Sequence, residues 1–300
     1  MRVTNKSLTR NFLTNLNRNL QAMQKTQNQL SSFKEISRPS DDPFQVSRIM
    51  SLNSSISKND KYLSNIKHSI GWLDATDDAL QGVVGAVQRA QELTMKAANG
   101  TFSETELYSI REEIIQLTEE IAQFGNTSYE GRYLFAGHNT INAPFDVDGT
   151  NTLVYSGGSS DTGVIYTEIS PGVTVGININ SERFINPSNS AVSISDTLHE
   201  IYNALGTPTP ADLDTRIAEL NQHLDGYLSL LSEVGAKVNR MEAAKEKNET
   251  DTLNLTELLS SIEDIDIAEK SIEYKSMTAV YEATLSAGAY ILQPTLLDYL

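Results

Sequence analysis

Four histidines, His68, His138, His199 and His223, are the side chains best suited to metal binding or proton transfer. None stands at ligand spacing from a carboxylate or from another histidine. The run Asp146-Val147-Asp148-Gly149-Thr150-Asn151 approaches a calcium loop, but its glycine is displaced and its twelfth position is Gly157 rather than glutamate. A hairpin turn accounts for it better. Gly157-Gly158-Ser159-Ser160 lacks the lysine of a phosphate loop, and no serine sits in a nucleophile elbow. Asn-x-Ser/Thr sites such as Asn5 and Asn126 are frequent by chance in so Ser/Asn-rich a chain. No catalytic, cofactor-binding or metal-binding residue is expected, and the chain does not read as an enzyme.

The composition narrows the remaining classes. Of the 300 residues, 39% are apolar and 21% charged, enough for real cores. A net charge of −16 argues against nucleic acid and anionic lipid as partners, because both need a basic face. The absence of cysteine excludes disulfides, zinc–thiolate sites and cysteine nucleophiles. The opening MRVTNKSLTRNFLTNL has neither the apolar core nor the small-residue cleavage site of a signal peptide. No run of about eighteen apolar residues could span a membrane.

What remains is the patterning of apolar surface, and it is dominated by one stretch. From Ile49 to Ala98, alternate steps of three and four land on Leu52, Ile56, Asn59, Leu63, Ile66, Ile70, Leu73, Asp77, Leu80, Val84, Val87, Gln91 and Thr94. This is a sustained heptad seam without proline. As a helix it would run roughly 75 Å and would need partner helices of similar length. Asp77 is either a register-setting polar residue or a point where the seam drifts outward.

The partners follow from the same spacing. Leu13, Leu16, Leu20, Met23, Gln27 and Leu30 form a narrow stripe in a polar, marginal helix. In the turn Arg38-Pro39-Ser40-Asp41-Asp42-Pro43, Asp42 is placed to cap, Pro43 suits the first helical position and Gln45 can reach back. Asn99-Gly100 ends the long helix, and Ser103 with Glu106 starts an antiparallel one along Leu107, Ile110, Ile114, Leu117, Ile121 and Phe124. Residues 126–137 read as a turn leading into extended chain, and residues 138–190 as a small β-region with turns at Asp148-Gly149 and Pro171-Gly172. The alternation of Val173, Val175, Ile177 and Ile179 is its clearest strand. Thr197 with Glu200 caps a short helix through Leu205, broken by Pro208 and Pro210. A third seam runs from Leu213 to Met241. Residues 245–252, KEKNETDT, are a connecting turn or a solvated helix. Leu255, Leu258, Ile262, Ile265, Ile272, Ala279 and Ala283 carry the seam on, with a second stripe at Met277, Val280, Thr284, Ala287 and Ile291 until Pro294 stops the helix.

The expected fold is therefore mainly α: a long antiparallel helical bundle formed by the N- and C-terminal halves, with a small inserted β-rich domain at the tip. Residues 1–42 with 260–300 would be terminal helices, 43–137 with 195–259 the bundle, and 138–194 the insertion. The terminal stripes, Leu13, Leu16, Leu20, Met23, Leu30, Ile272, Met277, Val280, Ala287, Ile291, Leu296, Leu297 and Leu300, lack cover inside one molecule. They are the candidate assembly interface. Arg38, Pro39, Asp41, Asp42 and Pro43 form the connecting turn.

Met1-Arg2-Val3-Thr4, Leu30-Ser31-Ser32 through Ile36-Ser37-Arg38-Pro39-Ser40-Asp41-Asp42-Pro43, Asn126 through Gly137 and Leu296-Leu297-Asp298-Tyr299-Leu300 occur here in order and at characteristic spacing. On these pieces the chain resembles the bacterial flagellin-like proteins, and among them the subunits of the hook–filament junction. The resemblance implies terminal helices forming the inner coiled-coil layer of an extracellular tube and an outward-facing β-insertion. It also implies export unfolded through the flagellar type III channel with an export chaperone, without a cleaved signal peptide. The partners implied are hook-associated protein 1, flagellin and further copies of itself in a ring of about eleven subunits. Flagellin itself is the nearest alternative reading; a cytoplasmic coiled-coil scaffold or chaperone is a more distant one.

Overall fold

A computed structural model describes residues 5–99, 102–156, 163–207 and 212–291. Among these are seven helices, α1 (Asn5–Ser32), α2 (Pro43–Asn99), α3 (Glu104–Gly125), α4 (Ser181–Ile185), α5 (Ile194–Leu205), α6 (Leu213–Glu263) and α7 (Ile267–Ile291); α4 falls within the stretch expected to be a small β-region. Between α3 and α5 lie three separate antiparallel hairpins: β1 (Ser128–Tyr129) with β2 (Arg132–Tyr133), β3 (Phe145–Val147) with β4 (Leu153–Tyr155), and β5 (Tyr166–Ser170) with β6 (Val173–Gly176). The fold is mainly α with a small β-containing insert. The chain divides into two compact units, Met1–Lys58 with Asp251–Leu300, and Asn59–Thr250.

The helix starts obey local chemistry. Asp42 caps α2 by accepting from the Phe44 and Gln45 N–H groups at 3.0 and 3.1 Å, with Pro43 at the first position. Gln45 contributes its backbone N–H rather than reaching back with its side chain. The Ser103 N–H donates to the Glu106 carboxylate at 2.9 Å, and this bond holds the Glu106 carboxyl below the usual glutamate range. The short helix α5 begins at Ile194 rather than at the expected Thr197 cap. Ser193 and Asp196 form the box there, the Ser193 hydroxyl accepting from the Asp196 N–H at 3.1 Å. Thr197 is instead buried inside the helix. The turn at Gly100 and the prolines Pro208 and Pro210 lie outside the described residues.

In Asn59–Thr250, α2 carries two seams instead of one. Ile66, Leu73, Leu80 and Val87 of the heptad reading are buried, but so is an adjacent line at Ser69, Trp72, Thr76, Ala79, Val83, Ala86, Ala90, Leu93 and Ala97. The helix is covered on two sides. Arg89 pairs with Glu113 of α3 at 2.7 Å, and Gln91 bonds Asn221 of α6 at 2.7 Å. Small residues on α2 permit close approach: a Cβ on Gly82 would sit 2.5 Å from the Phe124 ring. Residues 245–252 are continuous helix within α6, as a stretch of Lys and Glu without Gly or Pro allows.

The hairpins are tied to the helices by an aromatic nucleus on α4. Phe184 is fully buried, with Phe135 and Phe145 ring centroids at 4.5 and 4.8 Å. Tyr227 of α6 donates its hydroxyl to the Phe184 carbonyl at 2.7 Å. The turn after Asp148 is the hairpin turn read from the sequence, its carboxylate accepting from the N–H groups of Thr150 and Thr152. The alternating strand is shorter than its pattern. It ends at Gly176, and Asn178 is buried, its side chain accepting from Ile165 N–H and donating to the Gly163 carbonyl.

The heptad continuation past Leu255 is broken. Helix α6 stops at Glu263 and α7 restarts at Ile267, so Ile265 lies in a link, not on a helix. Asp266 causes the restart: its carboxylate accepts from the Ala268 and Glu269 N–H groups at 2.8 and 3.2 Å.

Candidate assembly interface

The surfaces expected to meet other molecules lie on α1 and α7, which pack along one another. Their antiparallel register is set by four contacts. The Phe12 ring occupies the space where a Cβ on Gly288 would fall, so any larger residue at that crossing must displace the ring. Thr26 donates to the Met277 sulfur at 3.7 Å. Below these, the two segments leave their helices together: Glu35 N–H donates to the Glu263 carbonyl at 2.7 Å and Ile265 N–H to the Phe33 carbonyl at 3.3 Å.

This clasp is reinforced by charge. Lys34 pairs with Glu263, and Lys270 lies 3.3 Å from both Glu35 and Glu273. Partial burial opposes the Lys270 charge, but the bonds to Glu35 and Glu273 outweigh it and hold the ammonium above its ordinary range. The Gln29 amide also donates to the Glu35 carbonyl at 2.9 Å. Phe33 takes a left-handed backbone, φ 59°, to end α1, a place where glycine or asparagine costs less.

Packing divides each helix into a covered and an open face. On α1, Leu16, Leu20, Met23 and Leu30 are half-buried, whereas Leu13 is 48% exposed. On α7, Met277 and Gly288 meet Thr26 and Phe12 of α1, and Lys270, Tyr274 and Tyr281 at the same helical spacing are half-buried. Ile272 and Val280 remain 70% and 51% exposed, and Ala279, Ala283 and Ala287 are exposed beside them. The side chain of Ile291 and all of Leu296, Leu297 and Leu300 lie outside the described residues. Arg38, Asp41, Asp42 and Pro43 close the connecting turn, with Asp41 accepting from the Arg38 N–H at 3.1 Å.

Phe33 and Phe44 are among the large exposed side chains that lie off the heptad stripes. Both stand at helix ends, where periodicity carries no information. The signal for Phe33 is an aromatic residue where a helix stop calls for glycine.

The histidines are dispersed. His68 faces Glu130 at 3.2 Å, His199 bonds Thr152 at 2.9 Å, and His223 is buried against Thr197 and Ser188. Among the described residues no group of three or more histidines and carboxylates is placed to hold a metal ion. No helix among them is long and apolar enough to cross a membrane.

Comparison with known proteins gives a consistent set of likenesses. The family described as the bacterial flagellin N-terminal helical region matches residues 3–140, and the bacterial flagellin C-terminal helical region matches residues 217–300. Flagellar hook-associated protein 3 of Escherichia coli (strain K12) is 27% identical over 289 residues, covering 90% of this chain and 85% of that protein. Flagellin of Bacillus subtilis (strain 168) is 26% identical over 289 residues, covering 95% and 94%. The crystal structure of Bacillus cereus FlgL superposes with a TM-score of 0.58 at 28% identity, covering 70% of this chain and 99% of that one. A putative flagellar hook-associated protein from Vibrio parahaemolyticus shares the fold, with a TM-score of 0.65 at 20% identity over 75% of this chain and all of that one.

Proposed function

The chain belongs to the bacterial flagellin family, matched in both its N-terminal and C-terminal helical regions, and on that premise we propose that it is a structural subunit of the flagellum, placed at the junction between hook and filament. The likeness that carries this reading is to hook-associated protein 3, extending over nine-tenths of the chain.

The physical role is to bury surface that one copy leaves open. Each Leu, Ile or Val removed from water contributes about 1.5–3 kcal/mol. Open side chains such as Leu13, Ile272 and Val280, repeated by every neighbour, offset part of the entropy lost on association. In this reading residues 1–42 with 260–300 form the inner layer, 43–137 with 195–259 the helical bundle, and 138–194 the outer insertion. The ring of about eleven copies has hook-associated protein 1 on one side and flagellin on the other. An export chaperone holds the terminal stripes before the chain leaves the cell without a cleaved signal peptide.

A second reading, filament subunit, has its own support in the likeness to Bacillus subtilis flagellin over 95% of the chain. Immunolabelling of sheared flagella separates the two. A band at the distal end of the hook is expected; label along the whole filament would make the chain a flagellin.

A further inference from the structure

Beside the hairpin β5–β6 lies a hollow of about 340 Å³ whose walls include Tyr166, Arg183, Glu233, Lys237 and Arg240. It sets three cations against one carboxylate in a chain of net charge −16. Glu233 is fully engaged: it takes a two-pronged bond from Arg183, 2.7 and 3.3 Å, and a third from Lys237 at 2.9 Å. Arg240 has no ion pair among the described residues, and Tyr166 stands 67% exposed at the rim. The hollow presents unspent positive charge beside an aromatic ring.

The opposite flank of the same helix is its electrostatic complement. Helix positions advance by about 100° per residue. Val234 and Met241 of α6 point into the core, so Lys237 and Arg240 lie to one side of that stripe and Glu242 to the other. Asp74 of α2 has Asp77, Asp78 and, from α6, Glu242 as charged neighbours, and burial together with these carboxylates raises the Asp74 carboxyl above its ordinary range. Asp77 accepts from the Gln81 side chain. Asp74, Asp78 and Glu242 make no ion pair among the described residues.

Complementary patches on opposite flanks of one helix cannot meet within a molecule. They suit a head-to-tail contact, in which every copy offers one patch and receives the other, the kind of interface that closes into a ring. We propose that the Arg183–Lys237–Arg240 hollow receives the Asp74–Asp78–Glu242 flank of a second copy of this chain. This rests on the assembly reading above and names a lateral contact within it. The side chains involved lie at the surface, so charge reversal tests the contact without unfolding the core.

The experiment is in flagella. Arg240→Cys with Asp78→Cys, in a chain with no other cysteine, should give a ladder of covalent multimers on mild oxidation. Lys237→Glu with Arg240→Glu should cut the number of retained filaments on the order of tenfold, because like charges then face one another. Adding Asp74→Lys and Asp78→Lys to that variant should restore them. Filaments retained at the normal level by the reversed variant, or absence of the ladder while the protein sits in a band at the hook's distal end, overturns the contact and leaves the junction reading standing. A ladder from protein labelled along the entire filament would keep the contact and overturn the junction.

Discussion

The side-chain amide of Asn126 closes both backbone bonds of Phe145: Nδ2 donates to the carbonyl at 2.8 Å and Oδ1 accepts from the N–H at 3.0 Å. One side chain thus does the work of a strand, fixing β3 to the end of α3. Asn126→Ala should destabilise Asn59–Thr250 by about 2 kcal/mol, because two part-buried backbone groups lose their partners. Urea unfolding followed by near-ultraviolet dichroism checks it; an unchanged midpoint would show that water replaces the amide at no cost.

Phe184→Ala should cost more, about 3–5 kcal/mol, since it empties the nucleus shared by Phe135, Phe145 and Tyr227. Thermal unfolding gives the magnitude. A loss under about 1 kcal/mol would mean that the hairpins do not depend on this nucleus.

His223 gives the same unit a sensitivity to mild acid. Burial holds its imidazole below the ordinary value of 6.5, with Glu219 and Asp196 opposing in part. The folded pKa is therefore the lower one. Stability is highest above pH 6.5 and declines as the pH falls below it, where the unfolded chain binds the proton more readily. His223→Gln should flatten that decline on the acid side of neutrality. Equal slopes in the two proteins would remove His223 from the account.

Glu233 acts in stronger acid. Bonds from Arg183 and Lys237 hold its carboxyl at about 2, against 4.5 unperturbed. Its contribution is present above pH 4.5 and is lost as the pH approaches 2. Glu233→Gln should shallow the stability profile in that window, measured as the urea midpoint against pH.

The terminal helices make a prediction about assembly. Amide exchange in free monomer should be faster in residues 1–35 and 265–300 than in the segments that bear Ile66, Ile114 and Leu220, because the open faces leave these helices little cover. Leu16→Asp should abolish filament attachment and leave the melting of Asn59–Thr250 unchanged. Uniformly slow exchange would contradict assembly-coupled ordering.

Much of this architecture was legible in the sequence wherever apolar residues recur at helical spacing. Leu107 through Ile121 and Leu213 through Met241 are read directly because Leu and Ile announce a buried face. Much of the second seam of α2 is hidden because Ala79, Ala86, Ala90 and Ala97 are small: they mark close approach, which hydrophobicity does not register, and Trp72, Val83 and Leu93 among them are too widely spaced to make a stripe alone. The α6–α7 break is hidden because Ile265 and Ile272 keep the heptad phase across it, while the Asp266 cap is a short-range signal, Asp-x-x-Glu, embedded in a long-range one. Phe184 sits on a five-residue helix whose importance arises only from distant partners. For the assembly surface, the stripes on α1 and α7 could be found, but not which face stays open. That is decided by where Phe12 meets Gly288.

The clasp between residues 33–35 and 263–265 has a mechanical consequence. Its two backbone bonds run between antiparallel segments, so tension pulling α1 and α7 in opposite directions along their axes loads both bonds in shear at the same time. Neither can open first and leave the other to be peeled. A swimming cell twists and stretches whatever couples its propeller to the motor, and a joint that shares load between two bonds yields later than one that unzips.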